Sequence, residues 1–205
     1  MGGFQSLRSG LLEGRSDAEA GSGPTSRLQD HPPTSRSHSY DLLHVGTTDL
    51  IACVGPCLLI LSYTITLPGV EAIGRGLAKL TQRQQKACTI SFVERKSGPG
   101  TAPEARDAIA EIARKYDKSM TGSAVVCDGT GFRATAVRSV VTAIHMASRS
   151  SSPSKVFAAA EPALEWLQAT RPSHDLDLAL LSQAAVALRA RLQEQLARAG
   201  VPTGP

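Results

Sequence analysis

The sequence predicts an α/β fold built on a single mixed, mostly parallel sheet, in the order β-β-α-β-α-β-α-β-α with an opening hairpin, plus a C-terminal amphipathic helix. The main observation is that short apolar, β-branched runs alternate with segments of helical periodicity between residues 48 and 168. A second is the length of 205 residues at 41% hydrophobic, which suffices for one core and is too short for two full-sized domains. Helices that cross between strands imply parallel pairing of those strands.

The chain divides into three predicted parts: a disordered tail at residues 1–45, an α/β domain at 46–170, and a linker with an amphipathic helix at 171–205. The tail is rich in Ser, Gly and Pro, so it cannot bury enough surface to offset the entropy of ordering. It has no continuous apolar stretch of the kind that a secretory signal needs. We therefore expect a cytoplasmic protein whose ordered structure begins near Leu42.

Residues 50–70 carry no formal charge, which leaves a membrane span as an alternative for this segment. Against a span, Gly55 and Pro56 interrupt the run, and no Lys or Arg lies close to either end. Two short strands at residues 49–54 and 57–64, turning near Gly55-Pro56, account for the same residues. The type of turn stays open at this point.

Three helices and three strands are expected between Thr66 and residue 157, followed by a fourth helix. Thr66 with Pro68 is typical of a helix start, and Thr101 with Glu104 has the form of a capping box. Strands are predicted at residues 88–93, 123–127 and 155–157. The predicted helices begin near Leu67, Pro103, Gly131 and Glu161.

The order and lengths of the elements from about residue 48 to 168 resemble the STAS fold, the sulphate-transporter and anti-sigma-factor-antagonist module. That family carries an Asp-Ser-Ser-Gly or Asp-Ser-Thr-Gly motif after the third strand, whose serine accepts phosphate from a partner kinase. Here the similar string starts at Asp128 and follows the fourth strand, with Gly129 at the acceptor position. The resemblance implies a regulatory module, with Ser97 and Thr101 as possible phosphoacceptors.

The loop after the fourth predicted strand is also a candidate anion site by its chemistry. Two glycines let the backbone approach a ligand, and the N-terminus of the following helix favours negative charge. The alternative is a plain turn followed by a helix start. The predicted ligand-binding residues are Asp128, Gly129, Thr130, Gly131 and Arg133.

Catalytic, metal and cofactor sites are not predicted. Cys53 and Cys57 lie four residues apart without a second ligand pair, so all four cysteines are interpreted as buried thiols in a reducing compartment. His145 follows Ile144 on the third predicted helix and is interpreted as a residue of the helix flank. The net charge of +4 is not clustered, which disfavours nucleic acid as a partner.

The C-terminal segment has an apolar stripe at near-heptad spacing, formed by Leu181, Ala185, Leu188, Leu192 and Leu196. This helix, at residues 176–199, folds back on its own domain or docks on a partner or a second copy. The leading functional hypothesis is a non-enzymatic regulatory or protein-interaction module that uses the loop edge and this helix. The alternative is a binder of, or an enzyme on, a small anionic or phosphorylated ligand at residues 128–133.

Overall fold

The protein folds around one six-stranded mixed sheet with helices on both faces, which confirms the predicted fold class. The structure, a computed structural model, describes residues 40–83, 86–94, 101–127, 132–171 and 176–201, without the side chains of 132–134. The strands are β1 (Asp41–Val45), β2 (Asp49–Val54), β3 (Cys57–Ser62), β4 (Ala87–Val93), β5 (Met120–Cys127) and β6 (Ser154–Phe157). The helices are α1 (Leu67–Arg83), α2 (Pro103–Tyr116), α3 (Phe132–Ser148), α4 (Ala160–Thr170) and α5 (Leu178–Arg198).

The strands follow one another across the sheet in chain order. β1, β2 and β3 pair antiparallel, whereas β3 to β6 pair parallel through the crossover helices α1, α2 and α3. One face of the sheet packs against α1 and α2, and α3 continues this layer beside α2. The opposite face packs against α4 and α5. The sheet is therefore the middle of three layers.

The uncharged segment at residues 50–70 forms the β2–β3 hairpin and the start of α1. Val54 pairs with Cys57, so Gly55 and Pro56 make the turn, and Gly55 has a φ of 54° that favours glycine. Both strands are almost entirely buried, because each face of the hairpin lies under a helix layer. No helix of the described residues is long and apolar enough to cross a bilayer.

The first strand was not predicted from the sequence. β1 occupies residues 41–45, inside the segment assigned to a disordered tail, and pairs with β2 at the edge of the sheet. Its side chains are only partly buried and its register shifts between Leu42 and His44. Such a short, irregular edge strand lacks an alternating pattern, because pairing with β2 rather than local propensity holds it in place.

Capping hydroxyls were predicted at the starts of two helices, and the structure confirms one of the two. At α1, Thr66 Oγ1 accepts a hydrogen bond from the Gly69 amide at 3.1 Å, which confirms the predicted cap. At α2, the N-cap is Ala102 and no side chain caps the helix, so the capping box of Thr101 and Glu104 is wrong. Pro103 alone marks this start, as its fixed φ suits the first helical position.

A buried carboxylate joins β1, β2 and α1. Asp49 is fully buried, and its Oδ2 accepts hydrogen bonds from the Thr66 amide at 2.9 Å and the Thr66 hydroxyl at 2.8 Å. The His44 ring donates from Nε2 to Oδ1 at 3.1 Å. Because Gly46 and Gly69 lie against the two oxygens, a β-carbon at either glycine would collide with the carboxylate.

We expect Gly69→Ala to lower the free energy of unfolding by about 1–3 kcal/mol, since the new methyl group must displace Asp49. Gly74→Ala on the same helix is the control, because a β-carbon there would lie 3.4 Å from Ile112 Cδ1. This control should be neutral or stabilise by up to about 1 kcal/mol, as alanine usually does in a helix. Urea unfolding followed by circular dichroism checks both, and a stabilised Gly69→Ala variant would contradict the account.

The C-terminal helix packs on its own domain. Leu181, Leu188, Leu192 and Leu196 are at most 2% exposed and belong to the core between α5 and the sheet. Arg189 adds an ion pair to Glu94 at the end of β4, with Nε and Oε1 2.8 Å apart. Of the two alternatives for this helix, folding back on the domain is the one observed, so its apolar stripe is not available to a partner.

Candidate functional site

A cavity of about 750 Å³ lies between the sheet and the layer of α1, α2 and α3. It forms because α3 contacts α2 and β6 more than the middle of the sheet, so its inward side chains are only half-buried. The volume falls within the range of about 300–1,000 Å³ that is typical of small-molecule sites.

Most of the cavity wall is aliphatic. α1 and α2 supply one side, α3 supplies the roof, and β3 and β5 supply part of the floor. The aliphatic lining residues with branched side chains are Ile60, Ile65, Ile73, Leu77, Val93, Ile109, Ile112, Val125, Val137, Val140, Val141 and Ile144. Such a wall favours an apolar ligand body, because filling the cavity removes this surface from water.

The floor of the cavity carries hydroxyl groups in place of core side chains. On β4, Thr89 and Ser91 face the cavity, while Ile90 and Phe92 point to the opposite core. Thr89, Ser123 and Ser154 lie side by side on β4, β5 and β6, and we call them the hydroxyl row. Within it, the Thr89 hydroxyl donates to Ser123 Oγ at 2.8 Å.

Further polar groups surround the hydroxyl row at the amino ends of β5 and β6. The C-terminal end of α3 brings His145 and Ser148 there, and the Ser148 hydroxyl donates to the His145 carbonyl at 2.9 Å. Ser150 and Ser152 line the same end of the cavity. The row and these residues form one polar end of an otherwise aliphatic space. Ser62, Tyr63, Thr64 and Thr101 form the rim at the other end.

A single carboxylate holds the loop of Ser150, Ser151 and Ser152, which we call the serine loop. Asp117 Oδ1 accepts from the amides of Ser151 at 2.8 Å and Ser152 at 3.0 Å, and the serine hydroxyls donate to the same carboxylate. These bonds, led by that from Ser150, hold the pKa of Asp117 well below its usual range. The loop is thereby fixed beside the cavity.

Among the described residues that line the cavity there is no Lys, Arg, Asp or Glu, and the ionisable ones are His145 and Tyr63. Among the described residues there is also no group of three or more side chains that would suit a metal ion. This described part of the lining therefore offers hydrogen bonds to a ligand but no permanent counter-charge.

The residues predicted for an anion site lie outside the described structure. This applies to Asp128, Gly129, Thr130 and Gly131, and to the side chain of Arg133, so their role stays a prediction. Of the two possible phosphoacceptors, Ser97 lies outside the described residues as well. Thr101 is described and lies on the rim of the cavity, where its hydroxyl is half-buried.

The cavity itself was missed in the sequence analysis. One signal was present: Thr89 and Ser91 alternate with apolar residues in a strand that has helices before and after it. Parallel strands covered on both faces are usually apolar throughout, so polar residues on one face indicate an unusual environment there. Their partners across the cavity come from α3, which no local pattern connects to β4.

No family model, curated protein or solved structure matches this chain. The resemblance to the STAS module therefore remains a prediction based on the order of the elements.

The four cysteines are buried as free thiols. Burial, followed by the charge of Asp41, raises the pKa of Cys53 to about 11. Cys57 lies opposite Cys88 in the parallel β3–β4 pair, and a hydrogen bond between these thiols, together with burial, raises the pKa of Cys57 well above its usual value.

We expect iodoacetamide at about pH 8 to modify none of the four cysteines in the native protein, because all four are buried and the raised pKa values of Cys53 and Cys57 suppress their reactive thiolates. All four should react after unfolding in urea. Mass spectrometry of the intact protein counts the modified sites. Rapid modification of Cys53 or Cys57 in the native state would contradict this packing.

Proposed function

We propose that this protein is a non-enzymatic binding module that takes up a small molecule in the cavity between the sheet and α3. The observation that carries the proposal is the cavity of about 750 Å³ with an aliphatic wall and a hydroxylated floor. Core positions on a sheet are normally filled by side chains at crystal-like density, so this volume is not what packing alone requires. Ligand uptake would then serve the regulatory role that the STAS resemblance implies.

The chemistry of the lining supports binding rather than catalysis. The ionisable side chains among the described lining residues, His145 and Tyr63, lie at opposite ends of the cavity, so they do not form an acid–base pair. The other hypothesis, a cytoplasmic protein-interaction module, was predicted to use the loop edge and the C-terminal helix. The apolar stripe of this helix, α5, is buried and so does not offer a surface to a partner.

We expect Val140→Trp to weaken binding of the apolar dye Nile red at least about tenfold, because the indole would fill the roof of the cavity. Met146→Trp is the matched control, since Met146 on the same helix is 72% exposed and outside the lining. Fluorescence titration of the dye measures both affinities, and circular dichroism checks folding. Equal affinities for the two folded variants would show that the dye binds elsewhere and would overturn the proposal.

A further inference from the structure

We propose that the ligand of this cavity is an uncharged amphiphile, with its apolar body under α3 and a hydrogen-bonding head at the hydroxyl row. This inference rests on the proposed function and names the ligand class for the same site. It follows from where the polar groups lie, which hydrogen bonds they still lack, and which charges face the cavity.

The hydroxyl row and Ser91 form the polar part of the floor and offer hydrogen bonds to a ligand. Thr89 is only 7% exposed, and its proton is used in the bond to Ser123 Oγ. The half-buried Ser123 hydroxyl accepts that bond and keeps its own proton to donate. Ser91, two residues further along β4, is half-buried and has no hydrogen-bond partner among the described residues. Ser91 and Ser123 can therefore each donate a hydrogen bond to a ligand head.

The rim at the other end of the cavity has fewer polar side chains. Tyr63 and Thr64 follow the end of β3 and Thr101 precedes α2, so these residues occupy connecting segments and not the sheet floor. The Thr64 carbonyl also accepts a bond from the Thr48 hydroxyl at 2.8 Å. A ligand head is therefore placed at the hydroxyl row and its body towards the rim.

The charge of the head follows from the lining. A carboxylate or ammonium taken into this cavity loses its hydration, and the described lining residues offer it no Lys, Arg, Asp or Glu side chain as a partner. Ser91 and Ser123 each combine a donor and an acceptor, which suits a hydroxyl, carbonyl or amide. The cavity spans four residue steps of β4 from Thr89 to Val93, or about 13 Å, so the body is long or polycyclic.

Three probes with the same chain and different heads test the ligand class. Dodecanol, dodecanoate and dodecylammonium compete with Nile red for the full-length protein, each below its micelle concentration. At about pH 8, where the acid and the amine are charged, we expect dodecanol to displace the dye at least about tenfold more strongly than either ion. Dodecanoate should gain affinity as the pH falls towards about 4–5, because the neutral acid then forms.

A variant pair tests the position of the head. Ser123→Ala should lower the affinity for dodecanol about fivefold, the effect of one lost hydrogen bond. Ser139 is an exposed serine on α3 outside the lining, so Ser139→Ala should leave this affinity unchanged. If dodecanoate displaces Nile red as strongly as dodecanol does at about pH 8, the ligand is anionic. If dodecylammonium does so, the ligand is cationic. Either result would overturn the inference. An unaffected Ser123→Ala variant would overturn the placement of the head.

The two proposals fail in different ways. If Val140→Trp leaves dye binding intact, the cavity is not the binding site and the proposed function falls. If Val140→Trp abolishes binding while an ion competes as well as the alcohol, the cavity stands as the site and only the uncharged class is wrong.

Discussion

Asp49→Ala is expected to lower the free energy of unfolding by about 3–5 kcal/mol, the range for breaking a buried, hydrogen-bonded charge network. The carboxylate is fully buried and accepts the Thr66 amide, the Thr66 hydroxyl and the His44 ring proton. Removal of the carboxylate leaves these three donors without an acceptor at a buried position, where water does not readily replace it. The loss also frees β1 from the start of α1, so the edge of the sheet should weaken first.

Urea unfolding followed by circular dichroism measures the loss, and Glu71→Ala is the matched carboxylate control. The Glu71 side chain on α1 is 75% exposed, and the ion pair that it forms with Arg75 at 4.0 Å is exposed as well, so its removal should change stability by less than about 0.5 kcal/mol. Hydrogen exchange should report faster exchange in β1 of a weakened variant. An Asp49→Ala variant as stable as Glu71→Ala would show that the network is not formed.

Leu188→Ala should lower the free energy of unfolding by about 2–5 kcal/mol, as expected for a leucine truncated in a packed core. Leu188 lies in the middle of α5, is 0% exposed and belongs to the core shared with β2, β3 and β4. Val186→Ala on the same helix is the control, because Val186 is 67% exposed and its truncation should cost less than about 0.5 kcal/mol.

The same experiment separates the two predicted roles of this helix. If the apolar stripe served a second copy of the chain, the stability of Leu188→Ala would depend on protein concentration, since dissociation would be part of unfolding. Packing on the same domain gives a loss that is independent of concentration. Unfolding at several protein concentrations distinguishes them, and a concentration-dependent midpoint would contradict the fold described above.

Several elements were predictable because their signals are local. The hairpin of β2 and β3 follows from two apolar runs around Gly55-Pro56, and the observed turn lies at those two residues. α1 begins at Leu67 and α2 at Pro103, as predicted, since Pro in the first turn marks a helix start within a few residues of sequence.

Other features depend on groups that are far apart in the sequence. β1 is held by pairing with β2 and by the Asp49 network, so its own five residues carry little strand signal. The cavity depends on how far α3 stands from β4, which is a matter of packing between elements about 40 residues apart. The amino-acid pattern specified the layers, the hairpin and an apolar stripe on α5. The surface that covers that stripe, the edge strand and the cavity are decided only by tertiary packing. Each of them requires two surfaces to meet, whereas a linear pattern describes one surface at a time.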